Sequence, residues 1–133
     1  QMGGLGPMAG QAHHFLKYAP TMEPPQVLPY AQDRYRNEVG RLYRVLNDRL
    51  ADNEYVAGDF YSIADMALWG WCKGWEGQQQ TLDDKPHFAR WLDAVGARPG
   101  VVAGFAVGQE LRNRTRSREE ELAAQKVMFG QKG

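Results

Sequence analysis

The chain has a single cysteine, Cys72, in 133 residues, so no disulfide can close within it. Cysteine usage therefore leaves the redox compartment open, and a reducing cytoplasm is the default expectation. Excess charge of either sign is also missing, because 16 Lys and Arg face 16 Asp and Glu. That argues against a nucleic-acid partner and against a polybasic membrane anchor. No apolar run approaches the ~20 residues that cross a bilayer. No cationic start leads into an apolar run, as a signal peptide would show. Alternation of strand period is absent over any useful length, and no segment repeats. No Gly-x-Ser-x-Gly elbow is present to present a serine nucleophile. What is present suits one globular domain, with four Trp and six Tyr as large core pieces. The first residue is Gln1, not Met, and the opening is hydrophobic and glycine-rich. The expectation is a fragment or processed product with sequence missing on its N-terminal side.

Helical punctuation runs along the whole chain. Ser62 suits an N-cap, and Asp65 stands three residues on, where its carboxylate can reach back to the Ser62 amide. Tyr61 and Met66 fit the two ends of a hydrophobic staple. The residues that follow are apolar on nearly every side, which predicts a buried central helix. Ala67, Gly70 and Gly74 form a small-residue stripe within it, flanked by Trp71 and Trp75. Before it, Tyr30 to Asp52 reads as the longest helix, with Tyr35, Val39, Leu42, Leu46 and Leu50 at three- and four-residue steps. Pro29 fits its first position. The stretch 19–29 carries four prolines and reads as a connection. Tyr55 and Val56 are expected to press a short turn onto the bundle. Pro86 heads a helix with Phe88, Trp91, Leu92 and Val95 on one face. Pro99 starts a shorter one through Val101, Val102, Phe105 and Val107. Residues 108–133 form a polar tail with a short helix. Val127, Met128 and Phe129 are expected to dock back on the body as a latch. The glycines of the first eighteen residues either sit in a helix held by close packing or make a flexible entry loop.

The order of these pieces carries a resemblance. A glycine-rich helix precedes an arginine-bearing long helix, a Val-Ala-Gly-Asp turn, the Ser-Ile-Ala-Asp helix and a Pro-headed Trp helix ending Ala-Arg-Pro-Gly-Val. This resembles the C-terminal helical domain of glutathione transferases, in which the Ser-x-x-Asp cap sets a central helix. The segment Gly3-Gly4-Leu5-Gly6-Pro7-Met8, with Gly10-Gln11 and His13-His14-Phe15, is similar to bacterial nu-class enzymes and the fungal nitrogen-regulator type. The resemblance implies an all-α bundle of about five to six helices over residues 1–107, the first helix truncated. It implies that the thioredoxin-like domain that activates glutathione lies outside this chain. No catalytic residue is then expected here, and the fragment alone is not expected to be competent.

The resemblance further implies glutathione as cosubstrate with no tightly bound cofactor. It implies a hydrophobic or disulfide small molecule as second substrate, and a homodimer in which Gly3, Gly4 and Gly6 permit close approach. Arg34 matches the nu-class arginine that contacts glutathione, and a guanidinium suits a terminal carboxylate. The alternative for Arg34 is an ion pair with Asp33 or Glu38. His14, Phe15, Trp71 and Trp75 are candidates to line the acceptor-substrate pocket, or else are packing residues. His13 and His14 diverge around a helix and have no third ligand at suitable spacing, so no metal site is expected. Cys72 has nothing nearby to activate it. Ser62 and Asp65 are structural. A different outcome is a non-enzymatic interaction module built on the same bundle.

Overall fold

The computed structural model describes residues 1–130. Among these, the named elements are all helical. They are α1 (Leu5–His13), α2 (Pro29–Ala51), α3 (Ile63–Cys72), α4 (Pro86–Gly96), α5 (Pro99–Ala106), α6 (Gln109–Asn113) and α7 (Arg118–Phe129). A π-helical turn over His14–Tyr18 and a 3-10 turn over Ala19–Thr21 continue α1, and a second 3-10 turn spans Trp75–Gln78. Residues 1–107 hold five of these α-helices, α1 to α5, within the five to six expected for the bundle. The tail holds two rather than one, because Gly108 turns with φ +68° and Ser117 starts a separate capped helix. The last three residues of the predicted tail lie outside the described residues.

The core lies where α1, α2, α3 and α4 meet. Leu5, Ala9 and Ala12 come from α1, Val39, Tyr43 and Leu50 from α2, Leu68 and Cys72 from α3, and Phe88, Trp91, Leu92 and Val95 from α4. Small residues on the buried face of α1 let it lie close, so packing offsets the helix cost of its glycines. All four apolar residues predicted for α4 are buried. Each fully buried aromatic is worth roughly 1.5–3 kcal/mol. Among the described residues core membership ends at Val95, and beyond it only Val101 packs on the core. The expected apolar face of α5 is otherwise open, with Val102 55% and Val107 74% exposed.

α3 departs from expectation. Only Asp65, Leu68 and Cys72 are buried on it. Ile63 is 82% exposed and Met66 54%, with Ala67 and Gly70 on the same open face. Its neighbours α1 and α4 cover one side, and no described element covers the other. Gly70 meets nothing, whereas a Cβ on Gly74 would stand 3.2 Å from the His13 ring. The small-residue stripe therefore serves packing at one end only.

α2 and α4 cap each other. α4 has no side-chain cap of its own. Instead Asn47 Oδ1 on α2 accepts from the amides of His87 and Phe88 at 3.1 and 3.2 Å. In return, Arg90 Nη2 donates to the carbonyls of Leu50 and Asn53 at 2.9 and 3.0 Å, at the end of α2. Each helix thus satisfies orphan backbone groups of the other. The buried Tyr43 hydroxyl donates to Gln78 Oε1, and Gln78 Nε2 donates to the Trp71 carbonyl at 2.9 Å.

Candidate functional site

The Ser62 cap forms as the spacing predicts. Its Oγ accepts from the Ala64 amide at 3.2 Å, and Asp65 Oδ2 accepts from the Ser62 amide at 2.9 Å. Asp65 does more than this. Its Oδ1 accepts from Trp91 Nε1 at 2.8 Å and from the Val56 amide at 3.0 Å. The carboxylate is fully buried and joins the Tyr55–Gly58 turn, the start of α3 and the core Trp of α4. Burial pushes its pKa up, but the bonds from Val56, Trp91 and Ser62 outweigh that and hold it below the ordinary carboxylate value.

Arg34 stands on the outer face of α2, in a groove of about 670 Å3 that Met8, Tyr30, Asn37, Arg41 and Arg44 also line. The ion-pair alternative for Arg34 is not realised. Arg36 takes Asp33 at 2.7 Å, and Arg41 holds Glu38 through two bonds of 2.8 and 2.7 Å. Among the described residues Arg34 therefore has no salt bridge, and its guanidinium is exposed. Glu38 lies below its usual pKa chiefly through Arg41, with a smaller contribution from Arg34.

The four aromatic and imidazole candidates fall in two places. His14 and Phe15 lie on the π-helical turn. The His14 ring meets Phe15 edge-on at 5.0 Å and Phe129 of α7 at 4.9 Å. Phe15 stacks flat on Tyr35 at 5.4 Å, and Tyr35 also lines the Arg34 groove. The Phe15 carbonyl accepts from Gln32 Nε2 at 3.0 Å. A π-turn is often found at functional sites, because it re-aims side chains within a helix. Trp71 and Trp75 pack against the core, and Trp71 lies 3.5 Å from where a Gly10 Cβ would stand. His13 is wedged against Gly74 and Gly77, and burial, then Lys17, lowers its pKa.

The expected latch is narrower than proposed. Phe129 docks on His14 and Tyr18, while Val127 is 85% and Met128 62% exposed. Polar bonds complete the docking. Arg118 Nη2 donates to the Thr21 carbonyl at 3.1 Å, and Gln125 Nε2 to Thr21 Oγ1 at 2.9 Å.

Candidate nucleophiles are out of reach. Cys72 is fully buried, and burial pushes its thiol pKa up. The Tyr43 hydroxyl is raised by burial as well. No group of three or more His, Cys, Asp or Glu among the described residues could hold a metal. No described helix is long and apolar enough to cross a membrane.

One cavity escaped the reading of the sequence. About 580 Å3 of space lies between α3, α4 and α5, bordered by Tyr61, Met66, Trp69, Arg98 and Phe105. Arg98 precedes Pro99 and is held extended at φ −65°, ψ 132°. Its guanidinium stacks on Tyr61 at 3.7 Å. The signal available was the Arg-Pro pair, whose geometry throws the arginine off the helix end.

Comparison with known proteins agrees with this architecture. The family model for the glutathione S-transferase C-terminal domain matches residues 11–99. The disulfide-bond oxidoreductase YfcG of Escherichia coli is 45% identical over 101 residues, 76% of this chain and 45% of that protein. A second Escherichia coli disulfide-bond oxidoreductase, YghU, is 38% identical over 114 residues, 80% of this chain and 38% of that protein. A glutathione transferase from Burkholderia graminis, solved with two glutathione molecules per subunit, superposes with TM-score 0.66 at 40% identity, covering 77% of this chain and 44% of its own. The URE2P6 transferase of Phanerochaete chrysosporium, in complex with oxidized glutathione, gives 0.72 at 26% identity, covering 81% and 49%. The chain thus spans about half or less of the length of these relatives. By the model match and the shared helical order, it belongs to the glutathione S-transferase C-terminal domain family.

Proposed function

We propose that this chain is the acceptor-substrate-binding and dimerising domain of a glutathione transferase or glutathione-dependent disulfide reductase, acting in the cytoplasm. Glutathione is its cosubstrate, and no cofactor is tightly bound. The observation that carries the reading is Arg34, whose guanidinium has no salt bridge among the described residues and stands in an open groove, while both nearby carboxylates are engaged by other arginines. It is free to grip a glutathione carboxylate. Phe15 reaches the same groove through Tyr35, so His14 and Phe15 form the near wall of the acceptor pocket, with Trp71 and Trp75 behind α1. The chain supplies binding and orientation. A thioredoxin-like partner domain supplies the groups that activate the glutathione thiol, since Cys72 and Tyr43 are buried. The dimer uses the α1 and α2 face, where a Cβ on Gly3 or Gly4 would meet nothing within 4 Å.

The test is calorimetric titration of glutathione into this chain joined to a thioredoxin-like domain of a relative. Arg34→Ala is expected to weaken binding by about 1.5–3 kcal/mol, and unchanged affinity removes Arg34 from the site. Absence of glutathione binding and of disulfide reductase activity in the joined protein would point instead to a non-enzymatic interaction module.

A further inference from the structure

The Ala19 amide donates to the carbonyl of His14, five residues back, which is the bond pattern of a π-helix. The next bond in that series would run from residue 20 to the carbonyl of Phe15. Residue 20 is a proline, whose ring nitrogen carries no hydrogen. The series stops there, and the Phe15 carbonyl takes a donor from another element. Gln32, seventeen positions on and in the first turn of α2, supplies it, with Nε2 donating at 3.0 Å in a part-buried setting. Tyr35 lies three residues further along α2, on the same face. Its ring stacks on Phe15 at 5.4 Å with 2° between the planes. A stack fixes the plane of a ring but lets it slide, and the bond to the carbonyl stops that sliding. The His14 ring meets Phe15 edge-on at 5.0 Å and takes its place from it. Arg34 lies between Gln32 and Tyr35 in sequence but stands exposed, outside this clamp.

We propose that Gln32 is a positioning residue for the acceptor pocket. By standing in for the amide that Pro20 lacks, it sets where the π-helical turn presents His14 and Phe15, and so how well a second substrate fits against them. The inference rests on the reading of His14 and Phe15 as the near wall of that pocket. Gln32 acts through these two residues, and glutathione on Arg34 does not depend on it.

The experiment is steady-state kinetics of this chain joined to a relative's thioredoxin-like domain, with glutathione and bis(2-hydroxyethyl) disulfide as substrates. Gln32→Met keeps the side-chain length and loses the donor. It is expected to raise the KM for the disulfide about fivefold or more, with the KM for glutathione within about twofold of the wild type. Pro20→Ala restores an amide at the next place in the series. In the double variant it should recover most of the loss, which a simple packing defect at position 32 would not permit. Arg34→Ala should show the converse split, with the glutathione KM raised and the disulfide KM little changed. In this chain by itself, Gln32→Met should shift the NMR ring signals of His14 and leave the amide signals of α4 in place, and far-ultraviolet circular dichroism checks the fold. An unchanged disulfide KM in Gln32→Met, equal rises for both substrates, or no recovery with Pro20→Ala would overturn the proposal. A joined wild type that turns over no disulfide would sink the pocket reading and this inference with it, whereas unmoved His14 signals would sink the clamp itself.

Discussion

At the level of single residues, Asp65 has the largest structural role. It accepts from Val56, Ser62 and Trp91 with no exposure to solvent. Its pKa is depressed in the folded state, against ~3.9 when unfolded. The stability it confers is therefore full above the unfolded value and is lost as pH falls through the lower folded one. Urea unfolding of the wild type should show this loss below about pH 4, and Asp65→Asn should flatten that limb. At neutral pH the same variant should cost about 1–3 kcal/mol, because an amide nitrogen faces donors. Ser62→Ala should cost ~1 kcal/mol, up to about 2. Two glycines of α3 and its exit give a contrasting pair. Gly70→Ala enters open space and should stabilise by up to ~1 kcal/mol. Gly74→Ala meets the His13 ring at 3.2 Å and should fall short of that gain. Thermal melts of both, repeated in a His13→Ala background, should show the shortfall disappear.

Among the elements, what could be read from the sequence was what is local. The Ser62–Asp65 box, the span of α2 and the buried face of α4 follow from short-range spacing. The π-helical turn did not, because its contacts with α2, the Gln32 bond to the Phe15 carbonyl and the Phe15–Tyr35 stack, join residues distant in sequence. The cap on α4 comes from Asn47, forty positions before His87, and no local motif announces it. The exposed face of α3 was misjudged for a different reason. Hydropathy records that a side chain is apolar, not whether a neighbour covers it. Around Arg34 the sequence offered three arginines and two carboxylates within one helix, and i,i+3 geometry settled the pairing on Arg36 and Arg41. The mutual capping of α2 and α4 has its own test. Asn47→Ala should cost about 0.5–2 kcal/mol in urea unfolding, and Arg90→Ala should destabilise the same helix pair. The double variant should lose less than the sum, since both caps hold one interface.

For the whole molecule, stability and tail docking are separable. Among the described residues no buried core residue lies beyond Val95, and α7 adds a few exposed polar bonds and Phe129. A chain ending at Val107 should keep a single cooperative melt, lowered by no more than about 4–8 °C, the size of a ~1 kcal/mol change in a domain of this length. Separate transitions for core and remainder in that shortened chain would show that the bundle needs the tail. The bond from Trp91 to Asp65 has a further, optical consequence. Trp91 is the one fully buried indole, and its N–H ends on the carboxylate that closes the α3 cap. Its emission is therefore a built-in lamp for that joint. Acidification that neutralises Asp65 should change the brightness or colour of Trp91 before the helices melt, with the three half-buried tryptophans as a steadier background.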